Sequence, residues 1–110
     1  MTVLEITPMA LGKIIQEEET AGDLLLLDVR EPWEFAITHI PGSINMPLGT
    51  LCDNAYHLPK NRAIITICHH GVRSLRACLI LQKDGITRVK SLRGGIDLYT
   101  RTCDGTLKLY

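Results

Sequence analysis

The residues best suited to covalent chemistry lie in the middle of the chain, where an apolar run meets a helical pattern. Residues 63–67 read Ala-Ile-Ile-Thr-Ile, which predicts a buried strand, and residues 72–83 have helical spacing. Cys68 lies between the two. The first N–H groups of a helix have no intrahelical partner and lie at the positive end of its dipole, so a loop that curls there can bind an anion. Because the thiolate is the nucleophilic form of cysteine, Cys68 is the candidate nucleophile.

The residues after Cys68 are the candidate anion cradle. They would supply inward-pointing backbone N–H groups, and Gly71, which has no Cβ, would allow the tight curl. The Ser74 hydroxyl could cap the loop or bond the sulfur, and the sequence leaves both open. The predicted cradle residues are His69, His70, Gly71, Val72, Arg73 and Ser74.

Two side-chain types in this loop have alternative interpretations. His69 and His70 could ligate a metal, but adjacent residues rarely converge on one ion and no second ligand pair is spaced for it, so we expect no metal site. Their rings are expected to point outward, with a charge that varies near neutral pH. Arg73 could hold an anionic donor, but we favour a structural ion pair with Asp28 or Glu31.

The other three cysteines are expected to play smaller parts. Cys78 falls inside an apolar helical pattern and is predicted to be core. Cys52 and Cys103 are predicted to be exposed, and a role as a resolving thiol is the less expected alternative for either. No C-x-x-C pair is present, so a zinc ribbon is not indicated.

Length and composition limit the class of protein. The chain has 110 residues, which predicts one domain over 1–110, with a motif-bearing core at about 20–101 and a tail at 102–110. Twelve basic and twelve acidic side chains cancel, so no nucleic-acid partner is indicated. The absence of a membrane-length apolar run and of a signal-peptide pattern predicts a cytoplasmic protein with no membrane partner.

Strand and helix patterns alternate along the chain, which predicts an α/β fold with a mainly parallel sheet. Strands are expected at 3–6, 24–29, 43–46, 63–67 and 88–92, and helices from Pro8 to just before Ala21 and at 31–37, 47–56, 72–83 and 96–101. The second strand lacks alternation, as in a strand covered on both faces. Asp28 and Arg30 lie at its carboxyl end, where ligands gather in such sheets, and are expected to brace the cysteine loop. Trp33 and Phe35 are expected to pack in the core.

Four motifs together resemble the single-domain rhodanese family. In order, they are Leu27-Asp28-Val29-Arg30-Glu31-Pro32-Trp33-Glu34-Phe35, His39-Ile40-Pro41-Gly42-Ser43-Ile44-Asn45, Cys68-His69-His70-Gly71-Val72-Arg73-Ser74 and Leu92-Arg93-Gly94-Gly95-Ile96. The resemblance implies a three-layer α/β/α fold around a five-stranded, mainly parallel sheet. It also implies sulfurtransferase chemistry through a persulfide on Cys68. Two small departures are Thr38, where glycine is frequent, and Tyr99, where tryptophan is common.

The resemblance also sets the expected substrates. Sulfane sulfur would move from a donor such as thiosulfate to cyanide, a thiol or a carrier protein, without a cofactor. A sulfur-carrier or desulfurase protein is a possible partner, since the tail is similar to those of rhodanese domains that serve sulfur carriers.

One alternative is a cysteine-based phosphatase or arsenate reductase. However, four residues separate Cys68 from Arg73, one fewer than in cysteine phosphatases, and the smaller loop suits one sulfur better than a phosphate. The other alternative is a non-catalytic module that binds a partner or senses oxidants.

Overall fold

The computed structural model describes residues 4–17 and 22–110. Its strands are β1 (Leu4–Ile6), β2 (Leu24–Asp28), β3 (Ile44–Asn45), β4 (Ala63–Ile67) and β5 (Val89–Leu92). Its helices are α1 (Pro8–Gln16), α2 (Pro32–Ile37), α3 (Leu48–Asn54), α4 (Val72–Lys83) and α5 (Gly95–Thr102), with a 3₁₀ turn at Ala55–His57. The expected start of the first strand at Val3 lies outside the described residues. The first helix was predicted to continue to just before Ala21, but α1 ends at Gln16, and its C-cap Glu17 has an extended backbone.

The five strands form one sheet in the order β1-β5-β4-β2-β3, and every pair within it is parallel. This confirms the predicted α/β fold with a mainly parallel sheet, and β1 is one of its edge strands. β4 is the central strand, and it pairs along its whole length with β2. The carboxyl end of β4, from which Cys68 follows, therefore lies between those of β2 and β5.

Two apolar clusters, one on each face of the sheet, make the three layers. Successive side chains of a strand point to opposite faces, so Leu25 and Leu27 contact α3 and α4 while Leu26 contacts the α1 and α5 side. The leucine run without alternation is thus explained by helices on both faces.

The chain after α5 also packs on the body of the protein. Leu107 and Tyr110 lie against the cluster on the α1 and α5 face. The Lys108 N–H donates to the Thr38 hydroxyl at 3.2 Å, which holds this segment beside the end of α2. Residues 103–110 are therefore part of the domain surface.

Within residues 4–17 and 22–110, no helix combines the length and apolar character needed to cross a bilayer.

Candidate active site

Cys68 lies directly after the central strand, and its side chain is almost completely buried, with 1% exposed. Its Sγ accepts the Gly71 N–H at 3.0 Å and the Ser74 N–H at 3.4 Å. The thiol lies 3.4 Å from the Ser74 hydroxyl, which is itself 2.6 Å from the hydroxyl of Ser91 on β5. The loop therefore curls around the sulfur and points two backbone donors at it, an arrangement that favours a negative charge there.

Gly71 makes the curl possible. It is the N-cap of α4 and has a φ of 100°, a region that side chains disfavour. A Cβ at this position would also lie 3.1 Å from the Gly94 backbone nitrogen. Glycine is thus required by the backbone angle and by the close approach of a second loop, formed by Gly94 and the start of α5, which packs behind it.

That second loop holds the first from behind. At the start of α5, the Ile96 N–H donates to the Cys68 carbonyl at 2.9 Å and the Asp97 N–H donates to the His69 carbonyl at 3.1 Å. Gly95, with a φ of 64°, allows this approach, because a Cβ would come within 2.5 Å of the Cys68 carbonyl oxygen. Two consecutive glycines directly before a predicted helix, Gly94 and Gly95, are the sequence signal of this close backbone approach.

Arg73 forms an ion pair, but the predicted partners were wrong. Its guanidinium donates two hydrogen bonds to the Glu34 carboxylate, at 2.6 and 2.9 Å, and not to Asp28 or Glu31. These bonds lower the pKa of Glu34 to about 2 and raise the pKa of Arg73. Glu34 also accepts the Glu31 backbone N–H at 3.0 Å, and this bond at the start of α2 was readable from the sequence as a glutamate three residues after the helix cap.

Asp28 and Arg30 form a second, completely buried ion pair at 2.7 Å. Arg30 also donates to the Thr38 carbonyl at 2.6 Å and to the Tyr110 hydroxyl at 2.8 Å. Beyond their bonds to each other, the side-chain hydrogen bonds of these two residues go to the α2 segment and the tail and not to the cysteine loop. Their backbone carbonyls accept the Asn45 side chain at 3.0 and 2.9 Å. The pair therefore supports the segment that carries Glu34.

The His69 and His70 rings stack on each other, with centroids 3.9 Å apart. Val72, two residues after His70, is 72% exposed. Burial and the neighbouring His70 lower the pKa of His69, which favours the neutral form of its ring. Unexpectedly, Asp97 comes close enough that one ligand atom from each of these three residues lies within 4.8 Å of the others. The Asp97 carboxylate also forms an ion pair with Arg101, at 3.0 Å.

Trp33 does not pack in the core as predicted. It is 62% exposed and lies edge-on to the Tyr110 ring, with centroids 6.4 Å apart. Phe35 is half-buried and stacks on the His39 ring at 3.9 Å. The correction for Trp33 has a simple cause, since α2 is a six-residue helix that presents Glu34 inward and its neighbour outward.

The other cysteines lie apart from the loop. Cys78 is fully buried in the α3 and α4 cluster, which confirms the prediction. Cys52 and Cys103 are exposed free thiols, as predicted. Cys103 follows α5, about 12 Å along that helix from Gly95 at 1.5 Å per residue, so a direct exchange with Cys68 would need a rearrangement.

The comparisons with known proteins agree with this geometry. Residues 8–102 match the rhodanese-like domain family. The chain is 35% identical over 99 residues to a sulfurtransferase of Allochromatium vinosum, covering 90% of each, and 33% identical to the thiosulfate sulfurtransferase GlpE of Ectopseudomonas mendocina, covering 78% of this chain and 79% of that protein. A rhodanese-like domain protein from Staphylococcus aureus superposes with a TM-score of 0.82 at 27% identity, covering 98% of this chain and 99% of that one. The chain therefore belongs to the rhodanese-like domain family, whose members at this similarity include sulfurtransferases.

Proposed function

We propose that this protein is a rhodanese-type sulfurtransferase that carries sulfane sulfur as a persulfide on Cys68. The observation that carries the proposal is the pair of backbone N–H groups, from Gly71 and Ser74, that point at Sγ at the end of the central strand. A transferase of this kind must stabilise an anion twice, first the thiolate and then the persulfide. Fixed dipoles that are already aimed at the sulfur do so without reorganising.

The first step loads the enzyme. The Cys68 thiolate attacks the outer sulfur of thiosulfate, a new S–S bond forms, and the donor S–S bond breaks with its electron pair leaving on sulfite. Ser91 can donate to the Ser74 oxygen, and Ser74 can then turn its own proton towards the charged sulfur. The hydroxyl pair therefore adds a third donor when the sulfur is anionic.

The second step unloads it. The acceptor, cyanide or a thiolate, attacks the outer persulfide sulfur, and the electron pair of the breaking S–S bond returns to Cys68 as the thiolate. Two displacements through a covalent intermediate predict ping-pong kinetics. A desulfurase could replace thiosulfate as donor, and a carrier protein could replace the small acceptor.

The remaining residues have supporting roles in this proposal. His69, His70, Gly71, Val72, Arg73 and Ser74 form the cradle through their backbones. Arg73, held by Glu34, fixes the first turn of α4. Asp28 and Arg30 support the segment that carries Glu34. All four cysteines are free thiols, which suits the reducing cytoplasm.

A phosphatase would use the same loop differently. It needs its arginine free to clamp a phosphate. Here, both terminal nitrogens of the Arg73 guanidinium donate to the Glu34 carboxylate. Turnover of an aryl phosphate is the direct assay for this alternative, and we expect none.

The test of the proposal is the intact mass of the protein after incubation with thiosulfate, before and after a reductant. We expect a reducible gain of about 32 Da, one sulfur atom, on the wild type and on a Cys52→Ser/Cys103→Ser control, and no gain on Cys68→Ser. A gain that persists in Cys68→Ser would overturn the assignment of the nucleophile. A wild type that gains no sulfur from thiosulfate or from a small-molecule persulfide would overturn the function.

A further inference from the structure

The tail of the described chain ends against the cysteine loop. The Lys108 N–H is bonded to Thr38, and Leu107 and Tyr110 pack on the core, so the Tyr110 side chain is held at a defined place. Neither the motifs nor the predicted elements pointed to this residue. It contacts two separate supports of the loop.

The first contact is through the ring. The Tyr110 ring stacks on the His69 ring with centroids 4.0 Å apart and planes at 10°. His69 in turn stacks on His70, which places one exposed and one half-buried imidazole in series with the tyrosine. Because His69 directly follows Cys68, the stack limits how far this side of the loop can open.

The second contact is through the hydroxyl. The Tyr110 hydroxyl accepts from buried Arg30 at 2.8 Å and donates to Glu34 Oε2 at 2.8 Å. Burial, and the Glu34 carboxylate, raise the pKa of Tyr110 to about 12, so it keeps its proton and remains a donor at neutral pH. Glu34 passes the constraint on, since its carboxylate binds Arg73 in the first turn of α4.

The geometry points to Tyr110 as a positioning residue for the Cys68 loop, which its ring holds through His69 and its hydroxyl holds through Glu34 and Arg73. This inference rests on the proposed function for its catalytic consequence. Its structural consequence does not, because the aim of the Gly71 and Ser74 N–H groups at the sulfur can be observed without turnover.

Two substitutions separate the two contacts. Tyr110→Phe keeps the ring stack and removes the hydroxyl, whereas Tyr110→Leu removes both. Leu109→Ala is the matched control, because Leu109 is the preceding residue of the same segment and is 44% exposed. The readouts are the backbone amide resonances of Gly71 and Ser74, and the kcat and KM for thiosulfate with cyanide as acceptor.

We expect the two amide resonances to shift in Tyr110→Leu and to shift less in Tyr110→Phe, with Leu109→Ala unchanged. We expect kcat to fall about tenfold in Tyr110→Leu and about threefold in Tyr110→Phe, with KM little changed, as for the loss of positioning contacts that include one hydrogen bond to a charged group. The smaller effect in the phenylalanine variant would be the partial rescue by the stack.

Unchanged resonances and kcat, with only a lower Tm, would overturn the inference and leave Tyr110 as a packing residue. If Tyr110→Leu does not fold, Tyr110→Phe decides by the same readouts. If the wild type transfers no sulfur, the proposed function fails, while the amide resonances still decide whether Tyr110 positions the loop.

Discussion

Cys68 and Cys78 are both buried, with 1% and 0% of their side chains exposed, and each sulfur lies near one hydroxyl oxygen, at 3.4 and 3.3 Å. They differ in what else surrounds the sulfur. Cys68 is before the first turn of α4 and accepts two backbone N–H groups, whereas Cys78 lies within that helix among apolar side chains. Desolvation raises the pKa of Cys78, partly offset by the Thr66 hydroxyl. Equal burial thus accompanies different surroundings, and the two backbone N–H groups aimed at the Cys68 sulfur are the main difference.

The largest expected contrast is between substitutions of the two cysteines themselves. Cys68→Ser should abolish sulfur transfer with little change in stability, because it removes the nucleophile and keeps a similar side-chain volume. Cys78→Ala should retain the transfer rate within a few-fold and lower the free energy of unfolding by about 1 kcal/mol. Transfer rates and urea unfolding of both variants check this, and lost activity in a folded Cys78→Ala would break the comparison.

The next largest effect is expected at the second loop, Gly94 and Gly95 at the start of α5, which packs behind Cys68 and not behind Cys78. Gly95→Ala should lower the free energy of unfolding by about 3 kcal/mol and abolish transfer, because the new Cβ collides with the carbonyls of Cys68 and His69 and φ is positive. Gly49→Ala is the matched control, since Gly49 lies in α3 with no atom near its missing Cβ. Denaturant unfolding with an activity assay tests it. A Gly95→Ala protein as active as the control would contradict the proposed support.

A smaller effect is expected from the hydroxyl pair beside Cys68. Ser74→Ala should reduce the transfer rate about tenfold, because the side-chain donor is lost while the backbone N–H groups remain. Ser91→Ala should reduce it less, since Ser91 acts through Ser74. The double variant, measured by the same rate assay, should be no slower than Ser74→Ala alone, and additive losses would argue against a relay.

The smallest expected effect is a pH dependence of stability from the Glu34–Arg73 ion pair, which lies near Cys68 and not beside Cys78. The pKa of Glu34 is lowered to about 2 by Arg73, so the ion pair stabilises the fold fully above the ordinary value of 4.5 and progressively less as the pH falls towards 2. Urea midpoints of wild type and Glu34→Gln should therefore converge in acid. A constant difference between them from about pH 7 to about pH 3 would contradict the low pKa.

Local patterns in the sequence were enough to predict the elements and to single out Cys68 as the candidate nucleophile. The apolar run before Cys68 and the helical spacing after it predicted β4, the curl and α4, because both signals lie within the segment itself. The leucine run predicted a strand covered on both faces for the same reason. The motifs also predicted the family, which the match over residues 8–102 confirms.

Contacts between distant parts of the chain could not be predicted in this way. Nothing in the spacing of Arg73 distinguishes Glu34 from Glu31 or Asp28, and the choice depends on which side of the short helix α2 faces α4. The positions of Trp33 and Tyr110 depend on each other, 77 residues apart along the chain, since the tail fills the space beside the tryptophan. Such pairs are set by tertiary packing.

The hydrogen bonds from Ile96 and Asp97 to the cysteine loop have a consequence for how the protein is made. During synthesis from the N-terminus, Cys68 leaves the ribosome well before the residues that bind its own carbonyl and that of His69. The loop around Cys68 is therefore fully supported only after these later residues have also left the ribosome. A nascent chain that has not yet exposed Ile96 and Asp97 would display Cys68 without this support.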